Sequence, residues 1–382
     1  MDFESLFDIP IDDLHTPCYL TDARLLQKNT ALLKQIQQQT GCKILLAQKA
    51  FSMFSAYPLI RDDLAGTTAS GLFEAKLGRE HFGKEVHVFS PAYTQEDFTQ
   101  LLELCDHIVF NSFGQWKKYR QQVQDATRNI SCGIRINPGY AEVETDLYNP
   151  CISGSRMGVP LEQMEDDFAG LDGIHFHTMC EQNSDVLERT LDHMLPQFDK
   201  WLKRCKWVNF GGGHHITRPD YDVERLVRCI ERVRDTYGVQ VYLEPGEAVA
   251  LNAGYLVATV LDVVHNGMDI AILDASAACH MPDVLEMPYR PHILYSGTAG
   301  EKAYTYRLAG NTCLAGDVIR DYSFDHQLQA GEKLVFCDMA IYSMVKNNTF
   351  NGVPLPDIAL YQNGHIDLVK RFGYADFEGR LS

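Results

Sequence analysis

A chain of 382 residues, 45% hydrophobic and 22% charged, has the composition of an ordinary soluble globular protein and the length for one large domain plus a smaller one. Its formal net charge of −17 argues against nucleic acid as a partner, which needs a basic face, and favours encounter with a cationic ligand. No apolar run approaches the ~20 residues that span a bilayer. The eleven cysteines are scattered without a C-x-x-C pair or a secretory leader, so reduced thiols and a cytoplasmic location are expected.

In chain order, Thr16-Pro17-Cys18-Tyr19-Leu20 reads as an early strand expected to return to a later β region. Eight short apolar runs follow, at 44–47, 66–69, 86–89, 108–110, 133–136, 173–176, 207–210 and 241–243, with helix-like stretches between them. Strands alternating with amphipathic helices imply βαβ units and a parallel sheet, and eight of them suggest a closed (β/α)₈ barrel, with an open doubly wound sheet as the alternative. After Pro245-Gly246 the texture changes to longer alternating runs without helices, at 255–265, 268–273, 304–308 and 333–337, which predicts an antiparallel β domain. The expected division is a barrel over 22–249 and a β domain formed by 1–21 and 250–382.

Polar residues end the predicted strands: Lys49, then Ser70-Gly71 with Glu74, Arg135 and Asn137, His175 and His177, Gly211-Gly212-Gly213, and Glu244. In a barrel all of these lie on the C-terminal rim, where this fold builds active sites. A lysine at the end of a buried strand is desolvated, which lowers its pKa and makes its amine a candidate Schiff-base nucleophile. A glycine turn lets amides approach a phosphate, a carboxylate can keep a pyridine nitrogen protonated, and a histidine can stack on a flat ring, so the set points to pyridoxal-phosphate chemistry. Each residue also has a plain alternative: Lys49 a snorkelling strand end, Gly211–Gly213 a tight turn, Glu244 a turn cap and His177 a hydrogen-bonded core histidine. A further alternative is a zinc site of a barrel hydrolase built from His175, His177 and Glu244.

Gln48-Lys49-Ala50-Phe51, Ala69-Ser70-Gly71 with Glu74, His175-Phe176-His177, Asn209-Phe210-Gly211-Gly212-Gly213, Glu244-Pro245-Gly246, Gly310-Asn311-Thr312-Cys313 with Asp317, and Thr349-Phe350-Asn351-Gly352 resemble, in order, the signatures of the fold-type III pyridoxal-phosphate decarboxylases. That group includes ornithine, diaminopimelate and arginine decarboxylases. Thr178-Met179-Cys180-Glu181, the Glu244–Val249 run and the His280–Pro291 run look like its carboxynorspermidine/carboxyspermidine branch. The resemblance implies an alanine-racemase-like barrel with a second β domain, pyridoxal 5'-phosphate as cofactor, a carboxy-polyamine substrate, and a homodimer with shared active sites. It also implies roles: Lys49 for the Schiff base, His177 for ring stacking, Glu244 for the pyridine nitrogen, Gly211, Gly212 and Gly213 for phosphate, Tyr342 reaching phosphate from the β domain, and Cys313 as proton donor from the second subunit. Ser70, Arg135 and Gly246 complete the expected cofactor shell. The alternative is a decarboxylase of another basic amino acid, diaminopimelate, ornithine or arginine, on the same scaffold, and a catalytically silent homologue is the lesser one.

The chain departs from these relatives in three places. Met179-Cys180 stands where they usually carry Gly-Ser, Glu247 where an arginine commonly follows Glu-Pro-Gly, and Leu314 where an acid often follows the cysteine. Substrate recognition is therefore expected from Glu247, Asp283, Glu286, Asp317 and Phe350.

Overall fold

The computed structural model describes residue 4 and residues 7–143 and 145–382. Its contacts divide into two compact units, one of Gln27–Val249 and one of the chain up to Leu26 with Ala250–Ser382. No helix among the described residues is long and apolar enough to cross a membrane.

The first unit is a closed barrel of eight parallel strands: β2 (Lys43–Ala47), β3 (Gly66–Ala69), β4 (Glu85–Phe89), β5 (His107–Phe110), β6 (Ser131–Asn137), β7 (Gly173–His175), β8 (Trp207–Asn209) and β9 (Gln240–Leu243). They pair in the order β5-β4-β3-β2-β9-β8-β7-β6, and β5 with β6 closes the ring. Runs such as Ile44-Leu45-Leu46 are wholly buried because one side faces the barrel interior and the other the helical layer. Local chemistry starts the intervening helices. Thr94, Ser112, Asn183 and Asp222 each cap a helix N-terminus through a side-chain oxygen.

The strands' N-terminal ends form a floor. Trp207 packs with Leu45, Val109 and Tyr242, and its indole N–H donates to Ser131 Oγ at 2.8 Å. A Cβ added at Gly173 would lie 2.1 Å from the Trp207 ring, so that glycine is required by packing rather than by backbone freedom. Beside it Lys43 is ion-paired to Glu85, His87 Nε2 lies 3.2 Å from Glu85 Oε2, and the His87 and His107 rings stack at 3.9 Å and 8°. Glu85, His87 and His107 bring one ligand atom each within 4.8 Å of one another on this floor.

In the second unit β1 (Cys18–Asp22) lies between β10 (Gly254–His265), to which it is antiparallel, and a parallel neighbour at Asp357–Gln362. The other strands are β11 (Asp269–Leu273), β12 (Tyr304–Ala309), β13 (Val318–Phe324), β14 (Lys333–Cys337), β15 (the Asp357–Gln362 strand just named) and β16 (His365–Lys370). The mixed sheet runs β13-β12-β11-β10-β1-β15-β16, with the two-residue Gly297–Thr298 beyond β13 and β14 on β10. Leu256, Leu273, Tyr322 and Phe336 form its core. The sequence reading missed β13, β15 and β16. Its expectation of a helix-free region is also corrected, since short helices occupy Ala277–His280, Asp283–Glu286 and Tyr374–Glu378.

Two predictions follow from the floor. Gly173→Ala should lower unfolding free energy by about 1–3 kcal/mol through overpacking against Trp207, measured by denaturant titration; unchanged stability would show that the ring can move aside. The second concerns pH. Burial pushes the His107 imidazole down to about 3, and the neighbouring His87 acts in the same direction. Folded His107 stays neutral where the unfolded chain, titrating near 6.5, takes up a proton. Its contribution is therefore complete above pH 6.5 and is lost as pH falls towards 3, at up to about 1.4 kcal/mol per pH unit. Unfolding titrations across this range should show that slope, and His107→Phe should flatten it.

Candidate active site

The barrel brings the strand-end residues to one mouth. Lys49 follows β2 by two residues, Ser70 and Glu74 follow β3, Arg135 lies in β6, His175 ends β7, and Glu244 follows β9 directly. Water reaches Lys49 through the open mouth, yet protein surrounds it on the other sides. This desolvation lowers its pKa and the Arg135 guanidinium adds to the effect, against the opposing pull of Glu244, Cys180 and Glu74. Among the described residues no side chain or backbone group hydrogen-bonds its ammonium. Ser70 is exposed, and its amide donates to Glu74 Oε2 at 2.6 Å.

Glu244 is 8% exposed and both oxygens have donors: His175 Nε2 at 3.1 Å and Asn209 Nδ2 at 2.7 Å. Burial pulls its pKa up, but His175 and Asn209 prevail and hold it at about 2, so the carboxylate is ionised. Burial depresses the His175 pKa, with Glu244 opposing, and its Nδ1 is buried without a partner among the described residues. An imidazolium would leave a charged N–H unsatisfied there, so His175 is neutral and donates from Nε2. The His175 ring stacks on Phe89 at 5.6 Å, and the Arg135 guanidinium lies 4.6 Å over the same phenyl ring. Arg135 is pushed down by burial to about 10 and remains protonated at neutral pH, with His177 O and Met157 Sδ as its hydrogen-bond acceptors among the described residues.

The glycine turn is built by close approach. Cβ atoms at Gly211, Gly212 and Gly213 would lie 2.4, 2.6 and 2.0 Å from the carbonyl oxygens of Phe176, Glu244 and Met179, and Gly211 and Gly213 have φ of +68° and +82°. Gly246 is required likewise, its Cβ position being 2.6 Å from Ala50 Cβ. Two of the three turn amides are already used: Gly211 N–H donates to Asn209 Oδ1 at 2.8 Å and Gly212 N–H to His177 Nδ1 at 2.7 Å. The second bond fixes His177 as the tautomer protonated on Nε2. Burial, then Lys49 and Arg135, holds its pKa well below 6.5, so it is neutral. The zinc alternative finds no support here, because among the described residues His175, His177 and Glu244 do not bring three ligand atoms within 4.8 Å of one another. Glu247 Oε1 faces His215 Nε2 at 3.4 Å. Burial works against charging His215, but Glu247 outweighs it and raises its pKa.

The second unit places its own residues. Cys313 is exposed and its amide donates to Asn351 Oδ1 at 2.7 Å; Leu314 and Phe350 are 45% and 50% exposed. Asp317 is buried, accepting from Thr312 Oγ1 at 2.7 Å and Ala278 N–H at 3.2 Å, so it braces the cysteine loop. Asp283 and Glu286 both grip the Lys346 ammonium, Glu286 at 2.7 Å. Tyr342 has a left-handed backbone, φ 47°. Sequence reasoning quoted Asn209 and Asn351 within motifs but gave them no role, and it missed His215 and Lys346 as partners; for these two the only signal was that they lie two or three residues from a motif.

Residues 18–340 match the family described as pyridoxal-dependent decarboxylase, C-terminal sheet domain. The carboxynorspermidine/carboxyspermidine decarboxylase of Campylobacter jejuni is 41% identical over 97% of this chain and 99% of its own length. The carboxyaminopropylagmatine decarboxylase of Synechocystis is also 41% identical, over 97% of this chain and 96% of its own. The crystal structure of carboxynorspermidine decarboxylase from Campylobacter jejuni, complexed with norspermidine, superposes with a TM-score of 0.90 at 40% identity, covering 96% of this chain and 100% of that one. With its alanine-racemase-like barrel and mixed sheet, the chain belongs to the pyridoxal-dependent decarboxylase family.

Proposed function

We propose that this protein is a cytoplasmic, pyridoxal-phosphate-dependent decarboxylase of carboxylated polyamines, converting carboxynorspermidine to norspermidine or carboxyspermidine to spermidine. The observation that carries the proposal is the barrel mouth itself: a lysine without a hydrogen-bond partner among the described residues, a neutral histidine and an ionised glutamate, in a chain 41% identical to a decarboxylase named for those two substrates. All eleven cysteines are free thiols, which suits a reducing compartment.

The residues fit the cofactor. Lys49 has a free amine where an aldehyde would be attached, and Glu244 is charged and positioned by two donors, as a partner for a protonated pyridine nitrogen must be. The amides of Gly213 and His214, which bond to nothing among the described residues, with the cationic Arg135, suit an anionic phosphate; a side chain at Gly213 would fill the cradle. Tyr342 is assigned to phosphate by resemblance. When bound, the cofactor supplies an electron sink for the carbon that loses CO₂. The chain's own parts in the reaction are then distinct. Lys49 binds, Glu244 keeps a ring proton in place, neutral His177 offers an uncharged flat face, and Cys313 gives a proton to the carbon that has lost its carboxylate. Because Glu247 is matched by His215, an acid in the usual arginine position is not an unpaired negative charge.

The substrate names of the two 41% relatives share an amino-acid head on a cationic tail. Asp283 and Glu286 form a seat for one ammonium, filled here by Lys346. We read them as tail-binding acids that engage substrate when Lys346 leaves, with Phe350 and Glu247 as further contacts and Asp317 acting through the Cys313 loop.

CO₂ release should be fastest, by kcat/KM, on the carboxy-polyamines, ahead of ornithine, lysine, arginine and diaminopimelate. A higher value on any of those four would overturn the substrate assignment. A homodimer with shared sites, which the resemblance implies, makes a sharper demand. Lys49→Ala and Cys313→Ala should each be nearly inactive, while a mixture that exchanges subunits should recover about a quarter of wild-type activity, because half the dimers carry one intact site of two. A mixture that stays inactive despite exchange would place both residues in one chain's site.

A further inference from the structure

Cys313 presents an exposed thiol on a loop whose geometry is set from elsewhere in the second unit. Its amide N–H donates to Asn351 Oδ1 at 2.7 Å. Asn351 has φ 58° and ψ 14°, a left-handed conformation that asparagine tolerates better than most residues and that turns its carboxamide back toward the loop. The turn carrying it is anchored in series. Phe350 N–H donates to Asn348 Oδ1 at 3.0 Å, Asn348 N–H to Cys279 O at 2.9 Å, and Asn348 Nδ2 to Ala278 O at 2.8 Å. Asp317 ties the other end of the cysteine loop to the same place, through Thr312 and the Ala278 amide. The loop is thus clamped at both ends onto residues 278–279, and Asn351 is the clamp that touches Cys313 itself.

We propose that Asn351 is a positioning residue for Cys313, fixing the direction from which the thiol delivers its proton. The inference rests on the reading of Cys313 as proton donor. The carboxylate leaves as CO₂ with the bonding pair kept by Cα; the S–H bond then breaks as the new C–H bond forms on that pair, and the thiolate regains a proton from water, leaving hydroxide to the solvent. The Cys313 amide is exposed, so water can replace the lost acceptor at little cost to folding, whereas a thiol misplaced by about 1 Å costs on the order of 10²-fold in rate.

The test compares Asn351→Gly, Asn351→Asp and Cys313→Ala as holoenzymes turning over substrate in D₂O, with NMR of the chirally derivatised amine reading which prochiral position carries deuterium. Glycine keeps the left-handed turn without strain but removes the acceptor, and aspartate keeps an acceptor oxygen. Wild type should deliver deuterium to one position. Asn351→Gly should lose roughly 10- to 100-fold in kcat with little change in KM, should scramble the deuterium, and should show faster iodoacetamide labelling of the Cys313 peptide. Asn351→Asp should restore most of the rate and the stereochemistry. A slow Asn351→Gly enzyme that still deuterates one position, or one with wild-type rate, would overturn the positioning role. If Cys313→Ala keeps both rate and stereochemistry, the donor reading fails first, and the inference falls with it.

Discussion

A single carboxylate held charged inside a ring of apolar strands imposes the arrangement of the barrel mouth. His175 and Asn209 are register partners on β7 and β8, and Asn209 pairs across to Tyr242 on β9, two residues before Glu244. Side chains alternate along a strand, so the three polar groups share the inward face and converge. Asn209 then works in two directions, donating to Glu244 and accepting from Gly211. The adjacent Gly212 amide orients His177. Glu244, the turn and His177 are therefore parts of one hydrogen-bonded chain, and each close carbonyl contact around Gly211–Gly213 follows from packing that turn against strands already fixed by the carboxylate.

Much of this was legible in the sequence, for a physical reason. Barrel strands are buried on both faces, so their residues read as unbroken apolar runs, and all eight were placed within a few residues. Their polar ends stood out because a charged group beside such a run is costly to desolvate unless a partner or a ligand meets it. The sheet of the second unit was harder. In β16 most side chains are exposed, leaving no periodic signal, and β13 interrupts its apolar residues with Arg320 and Asp321. The partners were less legible still. That Asp283 and Glu286 hold Lys346, or that Asp317 braces a loop, depends on contacts between residues tens of positions apart.

The three departures from the family pattern take on a common character. Each puts an acid or an uncharged group where a phosphate donor or an amine-binding acid was expected. Here Glu247 is answered by His215, Met179 is buried against the glycine turn, and Leu314 lies on the exposed cysteine loop. Charge at the mouth is set by its own residues, with the Lys49 and Arg135 cations beside the Glu244 carboxylate, so the overall −17 is no guide to the potential an incoming anion meets there.

The placement of β1 has a consequence for how the protein is made. Residues 18–22 sit mid-sheet between β10 and β15, whose residues are synthesised more than 200 and more than 300 positions later. At about 5–20 residues per second, a ribosome exposes β1 tens of seconds before its last neighbour exists. All eight barrel strands emerge in that interval. The early strand, buried along its whole length in the finished sheet, must therefore wait with both edges unsatisfied. The longest exposure of unpaired backbone during synthesis therefore falls on the opening strand rather than on the barrel.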